Sequence, residues 1–229
     1  MRKEFLLRLK KIDELVLKMG AWIEETFALA REALLAGDKT AAEEAVTRDE
    51  ELYQTERDIE ILCMHLLLTQ QPVARDLYLV AGTLKMITDL GRIGAQIVDL
   101  AKYAMILKKP RIKIKKLDHM MEQTGIMLNR SIKAFVEKDE VLANSVIDND
   151  ERVDKYFIKI REHLAEQVEK SPDLATESLS WLMVIKYLER IADHACNVAE
   201  WTIFAATGRH RHTPRPGGGA LPPGDGKPL

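Results

Sequence analysis

Two pairs of acidic residues in the second half of the chain have a spacing that suits metal binding. Asp150 and Asp154 are four residues apart, and so are Glu189 and Asp193. On an α-helix, side chains at i and i+4 lie one above the other, roughly 6 Å apart, so each pair directs two carboxylates into one volume. Carboxylate oxygens are ligands for Mg²⁺, Ca²⁺ or Mn²⁺, and for iron when water or hydroxide completes its coordination. These four residues are therefore candidate metal ligands.

The pair Glu189 and Asp193 differs from other acidic pairs of the same spacing in where it lies on its helix. The other pairs are Glu56/Glu60, Asp118/Glu122 and Glu162/Glu166. At about 100° per residue, Glu189, Asp193 and Glu200 fall on the flank of an apolar helical stripe. Two like charges at a half-buried seam repel each other and lose hydration unless a cation or an arginine neutralises them. The residues alone leave two interpretations open, a metal site and a network of ordinary surface carboxylates.

Helices must position these carboxylates, because apolar residues recur at helical spacing and strand alternation is absent. Leu188, Ile191, Ala192 and Ala195 illustrate the pattern. Glycine and proline act as punctuation between such segments, with Pro72 and Pro172 each at the start of a helix, where proline is tolerated. The sequence predicts an all-α fold of six long helices, near 3–36, 40–70, 73–107, 114–138, 140–170 and 173–206.

The two halves of the chain align as a tandem repeat of a three-helix unit. The equivalent positions are Gly37-Asp38 with Lys138-Asp139, Asp49-Glu50 with Asp150-Glu151, Pro72 with Pro172, and Arg92-Ile93 with Arg190-Ile191. Short loops make consecutive helices antiparallel, so we expect two antiparallel three-helix bundles, residues 1–107 and 114–207. A basic linker, 108–113, joins them, and a Gly/Pro-rich tail, 208–229, is expected to be disordered. Apolar surface left on such long helices suggests a homodimer.

Composition restricts the class of protein. The chain has 34 Lys and Arg against 36 Asp and Glu, so no global field favours nucleic acid. Six of the nine residues from Lys108 to Lys116 are basic, which is typical of a solvated connection and also permits peripheral contact with anionic lipid headgroups or an acidic partner. Cys63 and Cys196 form no CxxC pattern, and no apolar run is long enough to span a bilayer. We therefore expect a cytoplasmic protein.

The chain resembles the PhoU family of phosphate-transport regulators, whose members carry two repeats of a three-helix unit with acidic elements on neighbouring helices. Glu189-Arg190-Ile191-Ala192-Asp193 is similar to the family's Glu-Arg-Ile-Gly-Asp stretch except at Ala192. The segment 71–77, Gln-Pro-Val-Ala-Arg-Asp-Leu, resembles the family's QPxAxDL opening of the third helix. The likeness covers residues 1 to about 207, and its specificity comes from the two motifs together with the repeat.

This resemblance implies a cytoplasmic, non-catalytic regulator of phosphate uptake and phosphate-starvation signalling. Its implied partners are the ATPase of the phosphate ABC transporter (PstB) and the sensor histidine kinase (PhoR), between which it would act as an adaptor. Some members of the family carry iron or zinc clusters on their acidic elements, so Fe, Zn, Mg or Mn are the candidate metals here. The predicted ligands are Asp150, Asp154, Glu189 and Asp193, with Glu151 and Glu200 as accessory residues.

The first repeat departs from the family pattern. Gly91 and Ala95 stand where the family has acidic residues, and Tyr53 is equivalent to Asp154. Only Asp49 and Glu50 remain as acidic candidates there. We therefore predict one competent metal site, in the second repeat, and a degenerate site in the first.

Two other function classes fit parts of the pattern. A di-iron oxidase of the ferritin-like type would need Glu-x-x-His steps, and none of the six histidines provides one. No Gly-rich phosphate loop or nucleophile elbow is present either, so we predict that the chain is not an enzyme. A metal-independent helical interaction scaffold is the alternative function, and it predicts partner binding that chelators do not affect. The sequence alone shows no basic cluster with an obvious anion site at a helix N-terminus, so it does not support direct phosphate sensing.

Overall fold

The regular elements of the protein are all helical within residues 2–73, 75–107 and 109–209, the part that the computed structural model describes. This confirms the predicted all-α class, while residues 210–229 of the expected disordered tail lie outside the described part. The helices are α1 (Arg2–Ala36), α2 (Lys39–Thr47), α3 (Asp49–Gln70), α4 (Arg75–Ile106), α5 (Leu117–Glu137), α6 (Glu140–Lys170) and α7 (Ala175–Thr207), with a short 3₁₀ turn at Pro172–Leu174.

The helix predicted over 40–70 is interrupted at Arg48, so the first repeat uses two helices, α2 and α3, where the second uses α6 alone. Trp22 of α1 donates its indole N–H to the carbonyl oxygen of Arg48 at 2.9 Å. The Arg48 guanidinium also pairs with Glu25 of α1 at 2.9 Å. No glycine or proline marks this break in the sequence, and its contacts come from another helix.

The turns that follow the first helix of each repeat have the same construction. Gly37 and Lys138 both have left-handed backbone conformations, with φ of 71° and 56°. The next residues, Asp38 and Asp139, are N-caps whose carboxylates accept hydrogen bonds from the backbone N–H groups two and three residues on, at 2.8–3.1 Å. Repeat-equivalent residues therefore make equivalent caps.

The two bundles pack against each other mainly through α4 and α7, which share the most extensive contact in the described structure. α4 also contacts α1, α2 and α3, and α7 contacts α5 and α6. Ile93 and Ile191, which are repeat equivalents, are both fully buried in a hydrophobic core that extends through both halves. Within the described residues, no helix has both the length and the apolar character needed to cross a membrane.

Candidate functional site

The carboxylates of the second repeat lie along the seam between α6 and α7. Asp150 and Asp154 are on α6, and Glu189, Asp193 and Glu200 are on α7; all five side chains are partly buried. Leu188 and Ile191, which flank this row on α7, are fully buried and hold the helix against the core. The apolar stripe of α7 thus places its acidic flank at the edge of the seam rather than in bulk solvent.

Asp154 and Glu189 form the first group of carboxylates along this seam. Burial raises the pKa of Asp154 above its ordinary value, and the negative charge of Glu189 raises it further. Lys186 opposes this effect on Asp154 and donates a hydrogen bond from Nζ to Oε2 of Glu189. A lysine therefore already provides part of the positive charge that the sequence analysis assigned to a metal ion.

The second group surrounds the thiol of Cys196. Burial raises the pKa of this thiol, and so does Asp150, which also accepts its hydrogen bond. The charges of Asp193 and Glu200 raise the same pKa further, so three carboxylates lie close enough to act on one buried sulfur atom. The four predicted ligands share one seam, but they divide into these two groups.

The two accessory residues of the predicted site differ in exposure. Glu151 points toward solvent and pairs with Lys155 at 3.1 Å, although its charge still raises the pKa of Asp154. Arg190, between the two predicted ligands on α7, is exposed and lies outside the seam. Glu200 is the better placed of the two accessory residues because it lies beside Cys196.

The carboxylates of the seam are the type of ligand that an oxygen-preferring cation binds, but these side chains are not arranged around one point. Half-buried carboxylates with unfavourable mutual repulsion are stabilised when a cation neutralises them. In the described residues, no three His, Cys, Asp or Glu side chains are grouped closely enough to hold a metal ion. Glu189 instead accepts a hydrogen bond from Lys186, and Asp150 accepts one from Cys196. Metal binding at the seam stays a prediction.

The first repeat has a different carboxylate at the equivalent seam. A Cβ atom added to Gly91, the equivalent of Glu189, would lie 2.3 Å from Oε2 of Glu56, so Glu56 occupies the space beside the glycine. Burial and the neighbouring Glu60 raise the pKa of Glu56. By its spacing the Glu56/Glu60 pair resembles the ordinary acidic pairs of the chain, yet Glu56 is half-buried.

The residues proposed for a degenerate first site are less informative. Glu50 is exposed, and the side chain of Asp49 lies outside the described part of the structure. Tyr53, the equivalent of Asp154, is 53% exposed and lies under the guanidinium of Arg57. The half-buried carboxylate at this seam is therefore Glu56, a residue that the repeat alignment did not single out.

A buried polar cluster between α4 and α7 was also not predicted. Asp89 is only 7% exposed, and its carboxylate accepts hydrogen bonds from three side chains of α7. The donors are His194 Nδ1 at 2.8 Å, Asn197 Nδ2 at 3.0 Å and Trp201 Nε1 at 3.2 Å. One signal could have identified it: Asp89 lies on the apolar stripe of α4, three residues after the buried Met86.

This cluster has a counterpart generated by the repeat. Aligning Arg92 with Arg190 makes Asp89 equivalent to Tyr187 and Asn197 equivalent to Asp99. The Tyr187 hydroxyl donates to Asp99, and burial together with this carboxylate raises the pKa of Tyr187. The repeat-equivalent positions of Asp89 and Asn197 are thus also in contact, as Tyr187 and Asp99, and in both contacts α4 supplies the carboxylate and α7 the donor.

Comparison with known proteins gives a consistent result over both repeats. The family model described as the PhoU domain matches residues 16–104 and again residues 117–202. A phosphate-specific transport system accessory protein PhoU homolog from Clostridium acetobutylicum is 32% identical over 211 residues, covering 91% of this chain and 96% of the relative. A homolog with the same description from Synechocystis is 31% identical, covering 91% of this chain and 93% of the relative.

Solved structures show the same similarity in three dimensions. The crystal structure of PhoU from Pseudomonas aeruginosa matches with a TM-score of 0.86 at 29% identity, covering 90% of this chain and all of that one. The phosphate transport system regulatory protein PhoU from Streptococcus pneumoniae matches with a TM-score of 0.84 at 27% identity, covering 91% of this chain and all of that one. With two domain matches and relatives aligned over most of its length, this chain belongs to the PhoU family.

Proposed function

We propose that this chain is a regulator of phosphate uptake and phosphate-starvation signalling that acts as an adaptor between PstB and PhoR. The observation that carries the proposal is the match of both three-helix repeats to the PhoU domain. Relatives that align over nearly the whole chain are named phosphate-specific transport system accessory proteins, which supports the same role. An adaptor needs binding surfaces rather than a reaction centre.

The proposed adaptor is a cytoplasmic homodimer without catalytic activity. An apolar row on α3 supports a role in protein contacts, since Ile61, Met64 and Leu68 are 62%, 47% and 76% exposed at helical spacing. Neighbouring exposed apolar side chains of this kind are characteristic of interaction surfaces. The absence of a global excess of positive charge agrees with partners other than nucleic acid.

In this proposal a metal ion binds in the second repeat through Asp150, Asp154, Glu189 and Asp193, with Glu151 and Glu200 as accessory ligands. Fe, Zn, Mg and Mn are the candidates. When bound, the cation would neutralise the repulsion that raises the pKa of Asp154. The metal-independent scaffold remains the alternative, and the ion pair between Lys186 and Glu189 favours it because this lysine already supplies part of the positive charge at the seam.

A pulldown tests the adaptor role. The full chain, carrying an affinity tag, is recovered from cells grown with high and with low phosphate, and associated proteins are identified by mass spectrometry. We expect the transporter ATPase and the sensor kinase to be enriched over a tag-only control. Loss of the gene should also derepress a phosphate-starvation reporter in high phosphate. Recovery of neither protein in either medium, with an unaltered reporter, would reject the proposal.

Elemental analysis tests the metal separately. Purified wild-type protein is compared with Asp154→Asn/Asp193→Asn and with the control Glu162→Gln/Glu166→Gln, which removes an exposed acidic pair of the same spacing from α6. A metal site predicts that only the first variant loses metal, and that EDTA lowers the Tm of the wild type and the control. Equal metal content in all three proteins, with no effect of EDTA, would favour the scaffold.

A further inference from the structure

A cavity of about 310 Å³ lies between the connection that enters α5 and the middle of α6. Its volume is at the lower end of the roughly 300–1,000 Å³ typical of small-ligand sites. Every titratable side chain that lines it is basic. The lining residues are Lys113, Ile114, Lys115, Lys116, Lys159, Ile160 and His163.

The part of the chain that the structure describes supplies no ion-pair partner for the lysines around this cavity. Across the described residues, none of its four lysines takes part in an ion pair or a side-chain hydrogen bond, whereas Lys133 of α5 and Lys170 of α6 each pair with a glutamate. Like charges held around one cavity repel each other, and a multiply charged anion relieves that repulsion. The cavity thus has the electrostatic character of an anion-binding site.

The connection is fixed in place on α7, so the lysines are held near one another before any ligand binds. The carboxylate of Glu177 accepts hydrogen bonds from the backbone N–H groups of Arg111 and Ile112, at 3.1 and 2.7 Å. Arg111 also pairs with Asp173 at 2.6 Å. Ile112 is 3% exposed and anchors the segment in the core. A site ordered in advance loses less entropy when its ligand binds.

The N-terminus of α5 lies next to this cavity, because the lining residue Lys116 immediately precedes the helix, a placement that the sequence pattern did not indicate. This helix begins at Leu117, directly after Lys116, and it is 21 residues long. The backbone N–H groups of a first helical turn favour an anion. The acidic residue of that turn, Asp118, is engaged with Arg31 of α1.

We propose that this basic cavity, defined by Lys113, Lys115, Lys116, Lys159 and His163, binds a phosphate-bearing anion with two or more negative charges. Such a group is supplied either by a soluble phosphate compound or by the headgroup of an anionic phospholipid. The site lies apart from the carboxylate seam and does not depend on the adaptor role. Both candidate ligands present oxygens that accept hydrogen bonds from ammonium groups and from the imidazole.

Titration of the full chain tests the proposal with two kinds of probe. Binding of pyrophosphate and of inorganic phosphate is measured by calorimetry, and binding of phosphatidylcholine vesicles with or without phosphatidic acid by cosedimentation. The variant Lys115→Gln/Lys159→Gln removes one charge from each side of the cavity. The control Lys133→Gln/Lys170→Gln removes the same net charge from α5 and α6 outside the cavity. These exposed substitutions are compatible with folding, which circular dichroism verifies.

We expect the cavity variant to weaken binding about 30-fold, since each lysine near a phosphate surface contributes about 1 kcal/mol, while the control binds like the wild type. Binding of pyrophosphate alone would identify a soluble ligand, and binding of phosphatidic acid vesicles alone would identify a headgroup. The proposal fails if neither probe binds, or if the control variant loses as much affinity as the cavity variant.

Discussion

Asp89 of α4 and His194 of α7 form a polar contact that joins the two halves of the repeat. His194 Nδ1 donates to Oδ1 of Asp89 at 2.8 Å, and the two side chains are only 12% and 10% exposed. Asn197 and Trp201 donate to the same carboxylate. The most extensive helix contact in the described part of the chain therefore contains a buried carboxylate with three donors around it.

Replacing Asp89 with alanine should destabilise the protein strongly. The substitution leaves the donors of His194, Asn197 and Trp201 without their acceptor, and we expect the free energy of unfolding to fall by about 2–4 kcal/mol. Urea denaturation measures this change. Asp58→Ala is the control, because Asp58 is exposed and its hydrogen bond is to Gln54 one turn away on the same helix. Similar stability of the two variants would show that the cluster contributes little.

Two glycines of α4 should respond differently to alanine. At Gly94 a Cβ atom would lie 1.9 Å from Cδ2 of the buried Leu52, so Gly94→Ala should cost about 1–3 kcal/mol through overpacking. At Gly91 the nearest atom is the flexible end of Glu56, which can turn toward solvent. Gly91→Ala should therefore change stability by less than about 1 kcal/mol.

The same denaturation measurement separates the two glycines. Shortening Leu52 to alanine in the Gly94→Ala background should cost less than in the wild type, because the clash is removed. Additive effects of Leu52→Ala and Gly94→Ala would argue against a direct clash.

Glu56 should make stability fall as pH rises. Burial and Glu60 raise the pKa of Glu56 above its ordinary 4.5, so the folded protein holds this proton more tightly than the unfolded chain does. The protonated carboxyl group of Glu56 therefore stabilises the fold at low pH, and this stabilisation is lost as the pH rises from the ordinary pKa to the raised pKa. At neutral pH the ionised side chain of Glu56 destabilises the fold. Glu56→Gln should raise the Tm at pH 7 and leave it unchanged in acid, where the carboxyl group is protonated in both states.

Calorimetry at the two pH values, with Glu162→Gln as an exposed control, measures this difference. A Tm at pH 7 that is lower for Glu56→Gln than for the wild type would contradict the direction of the shift.

Both cysteines should be unreactive in the folded protein. Cys63 is fully buried and burial raises its pKa to about 12, while burial and nearby carboxylates raise the pKa of Cys196. The thiolate is the reacting form, so a thiol-specific disulfide reagent at pH 8 should label neither residue until denaturant is added. Rapid labelling of one equivalent in the native protein would mean that one thiol is accessible and ionised.

Glu177 should control the order of the basic connection. Glu177→Ala removes the acceptor for the N–H groups of Arg111 and Ile112, so trypsin should cleave after Lys113 to Lys116 several-fold faster. Time courses analysed by mass spectrometry locate the cuts. Thr176→Ala, an adjacent exposed substitution on α7, is the control. Equal cleavage rates in the two variants would show that other contacts hold the connection.

Local rules account for what sequence analysis predicted well. Apolar spacing identified the long helices, and the repeat alignment paired Gly37-Asp38 with Lys138-Asp139, two turns at which the structure has equivalent caps. Both features depend on residues within a few positions of each other. The break at Arg48 was missed because its partners, Trp22 and Glu25, come from α1.

The sequence by itself determined the all-α repeat and placed Glu189 and Asp193 on one flank of one helix, because both follow from the period of the α-helix. Only the tertiary structure decided that Asp89 is buried among donors from α7. It also decided that Lys159 of α6 faces the lysines of the connection. The same spacing of acidic or basic residues on a helix fits side chains that are exposed to solvent, paired with a lysine, bound to a metal ion or bonded to a buried donor. Which of these environments the side chains have depends on which distant helix packs against them.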